Sequence, residues 1–145
     1  MEVVNEVLPG DPERIAAMQD KGPDGPIVMV NLLKFRDRAA YPEDHPDHDA
    51  GLTGREAYQR YAEAVTRLLP EYGGRALWAG NVTFLALGQV EELWDEIALA
   101  EYPDRAALWA MSTSPEWRAA AVHRSAGLAG QLNIETTADA GFGGG

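Results

Sequence analysis

The chain has 145 residues, which is the usual size of one compact domain. Hydrophobic residues make up 46% and charged residues 24%, values that are ordinary for a globular protein and that exclude a chain too polar to fold. The 12 basic and 23 acidic residues give a net charge of −11, so we expect neither nucleic acid nor an anionic membrane as a main partner. The lack of cysteine excludes disulfides, a thiolate nucleophile and a cysteine-ligated zinc site.

The two ends of the chain are predicted to lie outside the folded core. Residues 1–25 are predicted to form an N-terminal extension with a short helix capped by Asp11, and residues 137–145 a disordered, glycine-rich tail. Acidic residues and prolines interrupt the beginning of the chain, so we expect no secretory signal and a cytoplasmic location. No apolar run is long enough to span a bilayer. The remaining residues, 26–136, are predicted to be one domain.

The first half of this domain contains the clearest local patterns. Residues 27–35 are rich in β-branched and large apolar side chains and are predicted to form a strand. Residues 37–52 hold two prolines and many charges without a period, which indicates a long loop. Thr53 and Glu56 have the spacing of a capping box, and apolar residues at helical spacing follow as far as Pro70, so we predict a helix there.

The second half alternates apolar runs with helix starts. A short turn joins its first two strands, so we predict that they are antiparallel neighbours. The predicted elements are a strand at 75–87 with a bulge or bend at Gly80, a strand at 94–102, helical segments capped by Asp104 and by Ser114, and a strand at 132–136.

The order of these elements is strand, helix, strand, strand, helix, strand. This order predicts an α+β, ferredoxin-like fold, in which a four-stranded antiparallel sheet carries two helices on one face. The first two strands are apolar at both odd and even positions, so the second face of the sheet must also be buried. We therefore expect a homodimer in which two sheets pack against each other.

Several short stretches, in their order and spacing, resemble the family called domain of unknown function 1330. The resemblance covers residues 26–136 and implies a dimeric α/β barrel with no established reaction. The stretches that carry it are Asn31-Leu32-Leu33-Lys34-Phe35-Arg36, Tyr58 with Tyr61, Gly73-Gly74, Glu101-Tyr102-Pro103 and His123-Arg124-Ser125-Ala126-Gly127-Leu128.

Five residues are the candidates for ligand binding, because an amide, cationic groups and a phenol are the donors that a small carboxylate needs. We predict that they converge on one cavity. For the amide, a role in the fold is an equal alternative, and for the cations the alternative is a set of salt bridges to Asp95, Glu96 or Glu101. The five candidates are Asn31, Lys34, Arg36, Tyr58 and Arg124.

Other polar residues are weaker candidates. His123 is the one histidine of the predicted core and the one candidate for acid–base work near neutral pH, while Asp95 is expected to be an arginine partner rather than a base. The segment from Glu43 to Asp49 holds two histidines among carboxylates. Its spacing matches no known metal site, so we predict a solvated loop and no bound metal.

The sequence favours a homodimer that binds a small, anionic or partly apolar molecule, with any chemistry being free of cofactors. The alternative is a non-catalytic binding or dimerisation module. An enzyme would place an ionisable group of shifted pKa beside the ligand, whereas a binding module needs only hydrogen bonds and shape. Neither the substrate nor a catalytic residue follows from the sequence.

Overall fold

The computed structural model describes residues 5–6 and 11–139. Four strands and four α-helices follow one another there, with one short 3-10 helix, Leu69–Tyr72, directly after the second α-helix. The elements are α1 (Pro12–Met18), β1 (Ile27–Phe35), α2 (Gly54–Leu68), β2 (Arg75–Asn81), β3 (Glu96–Tyr102), α3 (Arg105–Ser112), α4 (Pro115–Gly127) and β4 (Leu128–Thr136).

The four strands form one antiparallel sheet in the order β2-β3-β1-β4. The helices pack on one face of it, where Leu33 of β1 contacts Tyr58 of α2 and Leu128 of β4. Further along β1, Ile27 and Met29 pack with residues of α2 and α3. The predicted α+β ferredoxin-like fold is confirmed.

The helix starts agree with the sequence patterns because each has a side-chain cap. The Thr53 hydroxyl accepts a hydrogen bond from the Glu56 backbone N–H at 3.1 Å, and the Glu56 carboxylate accepts one from the Thr53 N–H at 3.0 Å. Asp11, Asp104 and Ser114 cap α1, α3 and α4. Each cap thus supplies a local acceptor for one of the free N–H groups of the first turn.

The prediction starts β3 two residues early, at 94 instead of Glu96, and two further strand boundaries differ more. The first is β2, which ends at Asn81 instead of residue 87, because its last bond to the neighbouring strand runs from Val82 N–H to the Asp95 carbonyl. The second is β4, which begins at Leu128 instead of residue 132, because Leu128 already pairs with Phe35 of β1. In both cases the available partner strand, rather than side-chain preference, sets the boundary.

The face of the sheet opposite the helices, called here the outer face, is apolar. Val30 lies on it between Leu99 and Ile134, and Leu32 lies between Ile97 and Leu132. Ile134 is 45% exposed, and Trp78 of β2 is 57% exposed. The strands thus carry apolar side chains on both faces, as the sequence predicted.

Some expectations lie beyond the described part of the chain. The predicted disordered tail falls mostly on residues 140–145, and the predicted N-terminal extension falls partly on 1–4 and 7–10; these residues are outside the described part. Within residues 5–6 and 11–139, no helix is both long enough and apolar enough to cross a bilayer.

Candidate functional site

A chain of polar side chains links the middle of β1 to the last turn of α4. The Asn31 amide nitrogen donates to the Ala98 carbonyl at 3.3 Å, and the Asn31 Oδ1 accepts from Nε2 of Gln131 at 2.9 Å. Gln131 in turn accepts a hydrogen bond from the guanidinium of Arg124 through its Oε1. Asn31 therefore orients Gln131, which holds Arg124 in place.

Arg124 is half-buried and has a neutral partner. Its hydrogen-bond partner, Gln131, carries no charge, and it forms no ion pair with any carboxylate in the described part of the chain. Its charge partly opposes the burial that raises the pKa of the Tyr58 and Tyr61 phenols. A half-buried cation without a counter-ion is costly unless an anion joins it.

Three tyrosines surround the same region. The Tyr58 and Tyr61 rings lie 5.4 Å apart, and the Tyr61 hydroxyl accepts a hydrogen bond from the Trp117 indole N–H at 3.1 Å. Tyr102, at the end of β3, interacts electrostatically with Tyr61. Burial raises the pKa of all three phenols, so they are neutral hydrogen-bond donors at neutral pH.

Two of these hydroxyls have no hydrogen-bond partner among the described residues. Tyr58 is 7% exposed and Tyr102 is 5% exposed, yet neither phenol oxygen forms a hydrogen bond there. Both oxygens reach solvent, because neither is a fully buried polar atom. Both phenols are therefore able to donate to a molecule that enters between the sheet and the helices.

The sheet next to the tyrosines carries small side chains. On the helix-facing side, Ala98 lies opposite both Asn31 and Ala79, and Ala100 lies opposite Ala76. Ala76 and Ala79 are exposed, so the helices do not cover this part of the sheet. We call Ala76, Ala79, Ala98 and Ala100 the alanine surface; it is uncovered on the β2 side, while Ala98 and Ala100 pack against the core clusters of Tyr58 and Tyr102.

A second polar group lies farther along β3. The Arg55 guanidinium is 3.5 Å from the Glu96 carboxylate, 3.0 Å from the Asn81 side-chain oxygen and 4.6 Å from the centre of the Phe35 ring. Burial raises the pKa of Glu96, and Arg55 partly opposes that effect. Arg55 is thus neutralised within the chain, in contrast to Arg124.

The five predicted ligand-binding residues do not meet at one place. Asn31, Tyr58 and Arg124 belong to the tyrosine–arginine site, which also contains Tyr61, Tyr102, Trp117 and Gln131. Lys34 does not, because it follows Leu33 in a strand and its side chain lies on the outer face. There its Nζ donates to the Leu93 carbonyl at 3.0 Å and lies 3.5 Å from Asp95.

Arg36 also stays outside this site. Its side chain is exposed and bonds to no described residue, while its backbone pairs with Gly127 and Gly54. The expected arginine partner of Asp95 is not found, since Asp95 instead accepts a hydrogen bond from the Phe35 backbone N–H at 2.8 Å and pairs with Lys34.

His123 lies away from Tyr58, Tyr61 and Tyr102 and packs against the 37–52 loop. Its Nδ1 is 2.7 Å from the Tyr41 hydroxyl, and the Tyr41 ring stacks on His45 with ring centres 4.6 Å apart. Burial, with the nearby charges of Arg60 and His45, lowers the pKa of His123. In the part of the chain that the structure describes, no three His, Asp or Glu side chains are grouped as a metal site.

Two surface clefts lie elsewhere. One, of 290 Å³, is lined by the 37–52 loop, and the other, of 250 Å³, lies between α2 and α4. Asn31, Tyr58 and Arg124 line neither of them. The case for the tyrosine–arginine site therefore rests on its unpaired groups rather than on an enclosed cavity.

The model of the family described as domain of unknown function, DUF1330, matches residues 49–135. The chain belongs to the DUF1330 family. The match includes Tyr58, Arg124 and Gln131, whereas Asn31 precedes it. A comparison with curated proteins gave no match.

Solved structures agree with this assignment. A protein of unknown function from Rhodopseudomonas palustris is 32% identical, with a TM-score of 0.80 over 94% of this chain and 98% of that one. A protein from Bacteroides fragilis described as dimeric, with a ferredoxin-like fold, is 16% identical, with a TM-score of 0.51 over 78% of this chain and 96% of that one. A dimeric ferredoxin-like protein from Jannaschia is 17% identical, with a TM-score of 0.53 over 79% and 100%. The last two show a common fold.

Sequence reasoning missed several residues of the site in this DUF1330 member. Gln131 was overlooked because it was placed before the last strand, and its role depends on β4 starting at Leu128. The sequence patterns place Tyr102 in a strand and Trp117 in a helix, but they do not identify either residue as a hydrogen-bond donor. Ala98 and Ala100 do form a recognisable pattern, since residues at alternate positions of a strand lie on one face of the sheet.

Proposed function

We propose that this protein is a homodimer that binds a small carboxylate in each subunit, at the tyrosine–arginine site. The observation that carries the proposal is the half-buried guanidinium of Arg124, which has a neutral amide as its partner in a chain that carries 23 acidic residues. A ligand carboxylate beside Arg124 would form charge-assisted hydrogen bonds and supply the missing counter-charge.

The phenols and the alanine surface support a ligand that is partly apolar. Tyr58 and Tyr102 offer hydroxyls to polar atoms, while Ala76 and Ala79 offer an uncovered apolar surface to a hydrocarbon or an aromatic ring. Small-molecule sites typically combine an apolar lining with a few oriented polar groups. The proposed ligand class is therefore a small organic acid with an apolar body.

The homodimer is supported by the outer face of the sheet. Exposed apolar side chains such as Trp78 and Ile134 lie on it, and structures with the same fold are described as dimeric. An apolar sheet face that stays partly exposed among the described residues favours association with a second copy. A charge at Val30, in the centre of this face, should produce a monomer because it would leave an ion buried without a partner.

The test is ligand-induced thermal stabilisation with acetate, benzoate, phenylacetate and 4-hydroxybenzoate as probes. We expect at least one of the aromatic acids to stabilise the wild type, since binding to the native state raises the melting temperature. Arg124→Ala should weaken that binding by about ten- to a hundredfold, as expected for loss of a charge-assisted hydrogen bond. Arg118→Ala is the matched control, because Arg118 is an exposed arginine of the same helix.

Two further variants separate the roles within the site. Tyr58→Phe removes one hydroxyl without changing the ring, and Asn31→Leu removes the anchor of Gln131. Both should weaken binding less than Arg124→Ala does. If no probe stabilises the wild type, or if Arg124→Ala binds as the wild type does, the carboxylate site is wrong and a dimerisation module is the better account.

A further inference from the structure

The segment between β2 and β3, residues 82–93, exposes more large apolar side chains than any other part of the described chain. We call it the 82–93 arm. Phe84 is 81% exposed and Leu87 is 90% exposed, with Leu85 and Leu93 also exposed. The arm has no regular secondary structure, although residues 82–87 have the composition of a strand.

The arm is fixed at both ends but not over residues 83–87. At one end Val82 N–H donates to the Asp95 carbonyl at 2.9 Å, and at the other Trp94 is buried. Between them, the backbone N–H groups of residues 83–87 bond to no described residue. Free backbone groups combined with strand-forming side chains are typical of a segment that pairs with another chain.

Lys34 sets the side of the sheet on which the arm lies. Its side chain extends from the outer face, and its Nζ binds the Leu93 carbonyl at 3.0 Å and lies 3.6 Å from the Glu92 carboxylate. The returning part of the arm is therefore held at the outer face. Trp78 lies on the same face of β2, the strand from which the arm starts, and continues the apolar surface toward the arm.

We infer that the 82–93 arm is a clasp for a second copy of this chain, with Phe84 and Leu87 buried against the partner next to the outer face. The inference rests on the proposed homodimer and extends its interface beyond the sheet. A second copy is the occupant because the arm is continuous with the outer face that the homodimer covers. The net charge of −11 disfavours an anionic membrane as the alternative partner.

The test compares dimer dissociation constants by sedimentation velocity on the full chain. Phe84→Ser with Leu87→Ser should raise the dissociation constant about 100-fold or more, since each change occurs twice in a symmetric dimer. Ile15→Ser is the matched control, because Ile15 is an exposed apolar residue of α1. It should leave the dissociation constant unchanged.

The outcomes separate the arm from the dimer itself. If Val30→Asp gives a monomer while the double arm variant dimerises as the wild type does, the homodimer stands and the clasp is wrong. If the wild type is monomeric at micromolar concentration, both are wrong. Hydrogen exchange gives a second measurement without substitution, since the amides of residues 83–87 should be protected in the dimer and exchange rapidly after dilution to monomer. Equal exchange in the two states would also overturn the clasp.

Discussion

The Tyr41 hydroxyl and Nδ1 of His123 share a hydrogen bond of 2.7 Å, although the two residues are 82 positions apart in the chain. Tyr41 belongs to the 37–52 loop and His123 to α4, so this bond attaches the loop to the helix layer. Tyr41, Ala57 and Ala126 form a small buried cluster at the same place. The loop is thus anchored to the helix layer at Tyr41, while most of residues 42–51 are exposed, as its composition predicts.

The pH dependence of stability should report on this contact. The low native pKa of His123 comes first from burial and then from Arg60 and His45, while Asp47 acts in the opposite direction. The unfolded chain takes up the proton near pH 6.5, before the native protein does, so the free energy of unfolding should fall as the pH drops below about 6.5. Above that pH both states are neutral at this residue and the contribution is complete.

Urea denaturation between pH 8 and 5 checks this expectation, with His123→Gln as the comparison. The variant keeps a hydrogen-bond acceptor but does not titrate, so its stability should fall less steeply with acid than that of the wild type. An NMR titration that gives His123 a pKa of 6.5 or above would contradict the argument.

Metal removal should have no effect on the same loop. His45 uses its Nδ1 to accept the Asp47 backbone N–H, His48 donates its Nδ1–H to the Tyr41 carbonyl, and the Asp47 carboxylate pairs with Arg60 at 2.6 Å. These side chains are thus committed to contacts within the protein. We expect EDTA to leave the melting temperature unchanged. A loss of several degrees that zinc restores, and that His45→Ala with His48→Ala abolishes, would show a metal site instead.

Gly127→Ala should destabilise the protein, although alanine is the better helix former by about 1 kcal/mol. A Cβ atom at this position would lie 2.5 Å from the Gly54 carbonyl oxygen and 2.8 Å from the Tyr58 backbone nitrogen. Both are backbone atoms, so α2 and α4 would have to separate. We expect a loss of about 2 kcal/mol or more in chemical denaturation. Ser125→Ala, an exposed change on the same helix, is the control and should be nearly neutral.

The elements that the sequence predicted best are those whose determinants are local. The ends of β1 agree with the prediction because its β-branched run is one continuous stretch of the chain. The start of α2 agrees because the two residues of its capping box are only three positions apart. The end of β2 could not be predicted in this way. Residues 82–87 resemble a strand, and only the lack of a partner within the described chain leaves them irregular.

The site was predicted in part for a related reason. Residue type alone identifies Tyr58 and Arg124 as hydrogen-bond donors, but the link from Arg124 to Asn31 passes through Gln131 and depends on the register between β1 and β4. The sequence alone is enough to exclude Lys34 from the site that contains Asn31. Lys34 is three positions after Asn31 in the same strand, and an odd separation places two side chains on opposite faces.

Ala98→Leu should abolish ligand binding without affecting the dimer. Ala98 lies on the helix-facing side, beside Asn31 and near Leu33 and Tyr58, so a larger side chain would occupy the space that the proposed ligand needs. The outer face carries no change, so sedimentation should still show the wild-type dissociation constant. The apparent affinity for benzoate or phenylacetate, measured by thermal stabilisation, should be at least tenfold lower than that of the wild type. Ala119→Leu, at an exposed position of α4, is the control for the added volume. Binding of either acid to folded Ala98→Leu at the wild-type affinity would mean that the ligand does not enter over the alanine surface, and the proposed site would have to be abandoned.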